Sequence, residues 1–272
     1  MTGTAPHRPS RVVRAALAIL ITLGIAGACG HNAATDESVA SISSNAPWSY
    51  TGPRGPKHWA QLDPAYALCG DSNNQSPINI DSSAKMVDMD NIDFHYVPSR
   101  ISIINNAHTI QVNYDSGSYI TIVGVRYDLV QFHFHMPSEH KTKGKLHDGE
   151  LHLVHQSADG HLAVVALILY HADSDNAAFA SVWNNMPKSP GAVQHLDAQT
   201  NAARFLPVAR GTYRYDGSLT TPPCTEGVLW NLMRDSVSMS SGQMLDFMHV
   251  IGDNYRPVQP LGGRPLLEDR TP

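Results

Sequence analysis

Short apolar or alternating stretches, separated by turn residues, dominate the middle of the chain. Between residues 101 and 170 they are ISII, HTIQVNY, SYITIVGV, LVQFHFH, ELHLVHQ and LAVVALILY, and GTYRY and VLWNLM follow later. Runs of this length and composition predict β-strands. Only residues 176–185 and 241–249 favour helices, and no long helical segment separates the strands as it would in a parallel α/β fold.

The pattern therefore predicts a mainly β protein, a single domain built on a large central, mostly antiparallel twisted β-sheet with short peripheral helices. We expect this domain to run from residue 48 to about residue 267, followed by a tail over residues 268–272. Of the 272 residues, 42% are hydrophobic and 16% are charged, which is ordinary for a globular protein and argues against a largely disordered chain.

The first 28 residues have a different character. Arg8, Arg11 and Arg14 precede an uncharged run over residues 15–28 that ends in small residues. This run is shorter than the roughly 18 apolar residues that a membrane-spanning helix needs, so we predict a signal peptide over residues 1–28. The segment IAGAC resembles a bacterial lipoprotein box, which favours lipidation of Cys29 and a membrane anchor, although the same letters fit an ordinary cleavage site.

Residues 29–47 are rich in Ala, Ser and Asn and have no apolar periodicity, which predicts a flexible tether. Removal of residues 1–28 leaves 16 basic and 24 acidic residues, a formal charge of −8. A nucleic-acid partner needs the opposite sign of charge and is excluded. We expect an exported protein, either lipid-anchored at the cell envelope or free in the periplasmic or extracellular space.

The chain has three cysteines, Cys29, Cys69 and Cys224. If Cys29 carries the lipid, the other two remain in an oxidising compartment, where disulfides persist. We predict that Cys69 and Cys224 are bonded, and the alternative is two separate buried thiols.

The segment QFHFH sorts by parity into two chemically different faces. Successive side chains in a strand point to opposite sides, so Gln131, His133 and His135 share one face, whereas Phe132 and Phe134 share the other. A strand that is seated on its phenylalanines can hold two imidazoles in fixed directions.

The segment ELHLVH can supply a third imidazole. By the same parity rule Glu150 and His152 share a face, and a neighbouring strand could bring His152 across from His133 and His135. Three neutral nitrogen donors and an open fourth position are typical of catalytic zinc, and Glu150 and Gln131 could hold the ligands' second nitrogens. With 15 histidines in the chain, ordinary surface or core histidines remain the alternative at this point.

These motifs, in their order along the chain, resemble the α-class carbonic anhydrases, in particular the exported bacterial branch, whose short MPSEH link the chain shares. The similar segments are QSPINI, NNAHTIQV, QFHFH, SEH, ELHLVH, GSLTTPPCTEGVLW and NYRPVQPLGGR, which together cover nearly all of the chain after residue 48. The resemblance implies Zn²⁺ held by His133, His135 and His152. It also implies reversible hydration of carbon dioxide to bicarbonate and a proton, by attack of zinc-bound hydroxide with a histidine proton shuttle.

The resemblance also implies roles for other residues. Glu139 and Thr220 match the pair that orients the hydroxide through a hydrogen bond, and His108 matches the proton shuttle. The substrate pocket would comprise Val154, Val164, Leu219, Thr221 and Trp230, and the water network Tyr50, Asn106 and Gln111. Gln111 departs from the asparagine common in animal enzymes, and His140 is assigned to structure.

The family comparison strengthens the pairing of Cys69 with Cys224, which match the disulfide of exported members. It also matches Ser76-Pro77 and Pro222-Pro223 to sites of cis peptide bonds. A homodimer is a further expectation, although no residue pattern specifies one.

Two other functions are compatible with parts of the pattern. One is a catalytically silent carbonic-anhydrase-like binding domain at the cell envelope, but such relatives usually lack a zinc histidine, and this chain has all three. The other is an esterase-type zinc hydrolase, for which no serine nucleophile motif is evident. Carbon dioxide and bicarbonate are therefore the expected substrate and product.

Overall fold

The computed structural model describes residues 47–70 and 73–271. Its strands are β1 (Asn79–Ile80), β2 (Lys85–Met86), β3 (Asp93–His95), β4 (Ser99–Asn105), β5 (Ile110–Asn113), β6 (Tyr119–Ile122), β7 (Val125–His135), β8 (Lys141–Thr142), β9 (Gly149–Ser157), β10 (Leu162–Ala172), β11 (Val193–Thr200), β12 (Thr212–Ser218), β13 (Glu226–Met233), β14 (Val237–Ser240) and β15 (Leu267–Asp269). The α-helices are α1 (Trp59–Leu62), α2 (Ala180–Trp183) and α3 (Ser241–Val250), and short 3-10 segments cover Gly52–Arg54, Pro64–Gly70 and Ala202–Phe205. The predicted mainly β fold is confirmed.

Thirteen strands of the described chain form one mixed sheet in the order β11-β4-β5-β7-β9-β10-β13-β12-β15-β2, with β14 beside β10 and β3 joined through β6 to β7. Most neighbours run antiparallel, as predicted. The parallel pairs are β10 with β13, β10 with β14, and β15 with β2. The strands β1 and β8 form a separate two-stranded sheet.

The centre of the large sheet separates an apolar face from a polar one. On the apolar face, Phe132 and Phe134 of β7 are fully buried. The Phe134 ring makes edge contacts with Phe179 at 5.6 Å, with Trp183 at 4.9 Å and with Phe247 of α3 at 6.3 Å. Such pairings stabilise beyond the area that they bury. The predicted seating of the strand on its phenylalanines is confirmed, and residues of α2 and α3 pack against this face.

The two helical predictions differ in their outcome. α3 matches the predicted residues 241–249 and begins with a capping box, in which Ser240 Oγ accepts from Gln243 N and Gln243 Oε1 accepts from Ser240 N. Only Ala180–Trp183 of the predicted residues 176–185 are helical. The preceding residues form a turn, because the Asn176 side chain accepts from Ala178 N and so offers the backbone an alternative to the helix.

Several strands were not predicted, because they are very short or lack apolar alternation: β1, β2, β3, β8, β11, β14 and β15. β11 lies at the sheet edge, pairs with β4, and contains an irregularity between Leu196 and Gln199. β15 pairs with β12 and extends the sheet through Asp269, two residues beyond the expected domain end.

A disulfide joins Cys69 to Cys224, as predicted. It links the 3-10 segment Pro64–Gly70 to the loop between β12 and β13. The cis peptide bonds expected at Ser76-Pro77 and Pro222-Pro223 are present, and a third lies at Met136-Pro137.

The predicted signal peptide, Cys29 and nearly all of the predicted tether lie outside the described residues. Among the residues that are described, no helix is both long enough and apolar enough to cross a membrane.

Candidate metal centre

Three histidines converge on the polar face at the centre of the sheet. β7 carries His133 and His135, and the antiparallel neighbour β9 places His152 directly opposite His133. The ring centroids are 5.0 Å apart for His133 and His135, 5.1 Å for His133 and His152, and 4.7 Å for His135 and His152. One nitrogen from each ring lies within 4.8 Å of the others. The strand register thus brings the three predicted ligands together.

Each imidazole has its second nitrogen engaged by a fixed acceptor. His133 Nδ1 lies 2.8 Å from Gln131 Oε1, and His152 Nε2 lies 2.8 Å from Glu150 Oε1, the two partners expected from the sequence. His135 Nδ1 lies 2.6 Å from the carbonyl oxygen of Asn254, which was not predicted. An acceptor fixes the proton on the nitrogen that it contacts. The nitrogens left to bind a metal are therefore Nε2 of His133, Nε2 of His135 and Nδ1 of His152.

One of these free nitrogens is buried and unsatisfied. His135 is 1% exposed, and its Nε2 has no hydrogen-bond partner in the described part of the chain. Leaving a buried polar atom unpaired costs about 1–3 kcal/mol. A divalent cation that accepts lone pairs from three neutral imidazoles would satisfy this atom, and the donor set fits zinc.

The electrostatics of the ligands also suit a cation. Burial lowers the pKa of His133 well below its ordinary value, and the neighbouring His135 and His152 lower it further. Burial likewise lowers the pKa of His135. Both rings are therefore neutral near pH 7, which is the state in which a histidine offers a lone pair to a metal.

Glu150 is held by four hydrogen bonds. Its Oε1 contacts the rings of His140 at 2.7 Å and His152 at 2.8 Å, and its Oε2 accepts from the backbone nitrogens of Glu139 and His140. Burial raises the pKa of this carboxyl, but the nearby His140 and His152 more than offset it and hold the pKa well below the usual range. Glu150 is therefore an anion that orients His152.

Glu139 lies beneath the ligands, fully buried. Its Oε1 accepts from the backbone nitrogen of Arg256 at 2.9 Å, and its Oε2 lies 3.5 Å from His135 Nε2. Glu139 Oε2 has no hydrogen-bond partner among the described residues, so the hydrogen bond expected from Thr220 is not formed in this structure. Thr220 nevertheless lies in the same pocket, in the loop after β12.

A cavity of about 170 Å³ opens above the three histidines. Its apolar wall follows from strand pairing, because Val164 of β10 pairs with Val154 of β9 on one side and with Trp230 of β13 on the other. Other predicted pocket and water-network residues line the same cavity: Tyr50, Asn106, His108, Gln111, Gln131, Leu219, Thr220 and Thr221. The structure therefore brings the sequence-predicted residues to one site.

His108 stands at the mouth of this cavity, half-buried. Its ring stacks on Trp48, with centroids 3.6 Å apart and planes at 8°. Burial lowers the pKa of His108 below its ordinary value. The turn that carries it is fixed by Asn106, whose Oδ1 accepts from the backbone nitrogens of His108 and Thr109.

Comparison with known proteins agrees with this geometry. The family model for eukaryotic-type carbonic anhydrases matches residues 54–270. The chain belongs to the α-class carbonic anhydrase family. A carbonic anhydrase from Nostoc sp. is 41% identical over 226 residues, which are 81% of this chain and 85% of the relative. Another from Klebsiella pneumoniae is 41% identical over 224 residues, 81% and 90% of the two chains.

A solved structure is also similar. The α-carbonic anhydrase from Thermovibrio ammonificans, in complex with the inhibitor sulfanilamide, superposes with a TM-score of 0.79 at 42% identity and covers 82% of this chain and 99% of that one. The chain is accordingly an enzyme of the carbonic anhydrase type, and the family reaction is hydration of carbon dioxide.

Three residues of this carbonic anhydrase site were not predicted from the sequence: Asn254, Arg256 and Trp48. Arg256 acts through its backbone nitrogen, which donates to Glu139. Asn254 acts through its backbone carbonyl, which has no side-chain signature, although its side chain also donates to the carbonyls of His108 and Phe134. In the sequence, Trp48 marks only the start of the predicted domain. Its proximity to His108 depends on a fold contact between segments 60 residues apart, which no local pattern reveals.

Proposed function

We propose that this carbonic anhydrase binds Zn²⁺ through His133, His135 and His152 and uses it to hydrate carbon dioxide reversibly. The observation that carries the proposal is the set of three free nitrogens facing one point, each ring fixed from behind by a separate acceptor. When bound, zinc supplies a Lewis acid that makes a coordinated water acidic near neutral pH. Three neutral ligands suit this role because they leave the positive charge of the metal uncompensated.

Glu139 and Thr220 would orient the reacting oxygen. Glu139 is fixed by the Arg256 backbone nitrogen and keeps one oxygen free to accept a hydrogen bond. A threonine hydroxyl that donates to this oxygen has only its lone pairs left for the active site. It would therefore accept a hydrogen bond from the reacting oxygen and so turn that oxygen's own lone pair towards the substrate. Thr221, beside it, would bond bicarbonate or water.

The apolar wall would hold carbon dioxide. Val154, Val164 and Trp230 present hydrocarbon next to the ligand rings, and Leu219 continues the wall. An apolar molecule without charge gains free energy by leaving water for such a surface. Bicarbonate is charged and gains much less there, which favours its release.

His108 would carry the proton between the site and solvent. Its ring lies at the cavity mouth, and its lowered pKa favours quick release of the proton to buffer. Asn106 Nδ2 donates to Gln111 Oε1 at 3.4 Å, and Tyr50 lines the same cavity, so these side chains would order the water between His108 and the ligands.

We further propose that the protein is exported and anchored to the membrane through Cys29. The disulfide between Cys69 and Cys224 supports an oxidising compartment outside the cytoplasm. Metabolic labelling with a radioactive fatty acid should mark the wild type and not Cys29→Ser. An unlabelled, freely secreted wild type would refute the anchor. Whether two copies associate is a separate question for light scattering.

Stopped-flow hydration of carbon dioxide, with zinc content measured on the same sample, tests the proposed activity. We expect about one zinc per chain and rapid hydration, and His133→Ala should lose both. A protein that contains its full zinc and does not hydrate carbon dioxide would instead support the silent binding domain.

A further inference from the structure

A line of buried hydrogen bonds continues behind the ligand His152 into the core. Glu150 Oε1, which contacts His152, also contacts His140 Nδ1 at 2.7 Å. His140 Nε2 lies 2.6 Å from the Tyr215 hydroxyl, and that hydroxyl lies 3.0 Å from Ser76 Oγ. His140 and Ser76 are 0% exposed and Tyr215 is 4% exposed. The family resemblance predicts only a structural role for His140.

The far end of this line is fixed to the sheet. Ser76 Oγ accepts from Ser218 N at 3.1 Å, and Ser218 Oγ accepts from Ser76 N at 3.0 Å. A side chain at Gly217 would collide with Ser76 Oγ and with the Tyr215 ring, so close packing requires glycine here. Ser76 therefore holds the Tyr215 hydroxyl in one place.

The near end is a carboxylate with its acceptor positions filled. Glu150 Oε2 accepts from two backbone nitrogens, while Oε1 serves the imidazoles of His140 and His152. Without His140, Oε1 would have one partner and greater freedom to rotate. His152 could then place its proton on Nδ1 and lose the lone pair that faces the other ligands.

We propose that His140 and Tyr215 are positioning residues of the metal centre. They hold Oε1 of Glu150, which keeps the proton of His152 on Nε2 and leaves Nδ1 for the metal. Oε2 of Glu150 also accepts from the backbone nitrogen of Glu139. His140 and Tyr215 therefore help to fix Glu139 as well, whose carboxylate is proposed to orient the reacting oxygen. This inference rests on the proposed zinc site.

Tyr215→Phe is the sharpest perturbation, because it removes one hydroxyl and keeps the ring, which lies parallel to Trp230 at 6.2 Å. Loss of an outer partner in zinc sites typically weakens metal affinity 10- to 100-fold, so we expect the Kd for Zn²⁺ to rise about tenfold, measured by competition with a chromophoric chelator. The visible absorption spectrum of the Co²⁺-loaded protein should also change, because His152 would no longer be held in one orientation.

Tyr114→Phe is the matched control. It also removes a buried hydroxyl that is engaged by backbone groups, the carbonyl of Val97 and the nitrogen of Ala202, but on the apolar side of the sheet. It should lower stability and leave both the zinc Kd and the Co²⁺ spectrum unchanged.

A pair of variants at His140 separates hydrogen bonding from packing. His140→Asn retains a donor near the position of Nδ1 and should keep zinc affinity within about threefold of wild type, whereas His140→Leu should lose at least as much as Tyr215→Phe. Equal zinc Kd values for Tyr215→Phe and wild type would overturn the proposal, and so would equal losses in the two His140 variants. If the wild type itself bound no zinc, the proposed function would fail instead.

Discussion

His155 should make the folded protein sensitive to acid, even though it takes no part in the site. It lies on the apolar face of β9, fully buried, with Nε2 2.8 Å from the Tyr96 hydroxyl and Nδ1 3.3 Å from the Ala163 carbonyl. Burial lowers the pKa of His155 to about 3. In the unfolded chain a histidine has a pKa of about 6.5.

The size of the effect follows from proton linkage. Between about pH 3 and pH 6.5 the unfolded chain binds one proton at His155 that the folded chain does not bind. Stability therefore falls as the pH falls, by about 1.4 kcal/mol per pH unit, and by about 2 kcal/mol between pH 6.5 and pH 5. The whole window corresponds to about 5 kcal/mol, a large part of the stability of an ordinary domain.

The test compares the pH dependence of unfolding in wild type and His155→Gln. Glutamine does not titrate and can still reach the Tyr96 hydroxyl. Urea unfolding at fixed zinc concentration, with the disulfide intact, gives the free energy of unfolding at several pH values between 4.5 and 7.5. Below pH 6 the free energy of unfolding should fall less steeply with decreasing pH in the variant than in wild type. We expect the difference between the two slopes to be about 1.4 kcal/mol per pH unit, whatever the absolute stability of the variant.

His195→Gln is the control, because this ring on β11 is exposed to water in the folded chain as well as in the unfolded one. Its pH dependence should follow that of wild type. If His155→Gln also retains the full wild-type dependence, His155 takes up no proton on unfolding, and the argument from burial is wrong.

Three further predictions concern the site. Thr220→Ala should keep zinc, measured by elemental analysis, but lower kcat in stopped-flow hydration by about 100-fold, because the group that orients the reacting oxygen is lost; unchanged kcat would contradict its role. His108→Ala should be slow in weak buffer and recover with added imidazole, and normal turnover in weak buffer would exclude His108 as the shuttle. Trp48→Ala should raise the pKa of His108 towards 6.5 in an NMR titration, since the stack contributes to the burial that lowers it; an unchanged pKa would place the cause elsewhere.

The sequence predicts the ligand face because strand parity is a strictly local property. His133 and His135 had to share a face once their segment formed a strand, and Phe132 and Phe134 had to occupy the other. The sequence allows His152 to lie opposite His133 but does not require it, because strand register depends on the whole sheet.

Contacts made by the backbone between distant segments could not be predicted in the same way. The carbonyl that fixes His135 belongs to Asn254, 119 residues away, and the nitrogen that fixes Glu139 belongs to Arg256, 117 residues away. Every residue except proline offers the same backbone donor and acceptor, so residue type contains no signal for these bonds. The short strands escaped prediction for a related reason, since edge pairing with neighbours, not their own pattern, makes them strands.

The pattern of satisfied and unsatisfied buried atoms offers an independent argument for the location of the chemistry. Within residues 47–70 and 73–271, four buried side-chain atoms have no hydrogen-bond partner, and two of them, His135 Nε2 and Glu139 Oε2, lie 3.5 Å apart. Folded proteins satisfy most buried polar atoms, so two neighbouring exceptions indicate a site built for something other than stability. Both atoms can act as acceptors. A cation bound to His135 and a hydroxyl that donates to Glu139 would satisfy them together. The unpaired His135 Nε2 costs the apo fold about 1–3 kcal/mol, so ligation of zinc would recover that free energy at a site whose polar atoms are already aligned.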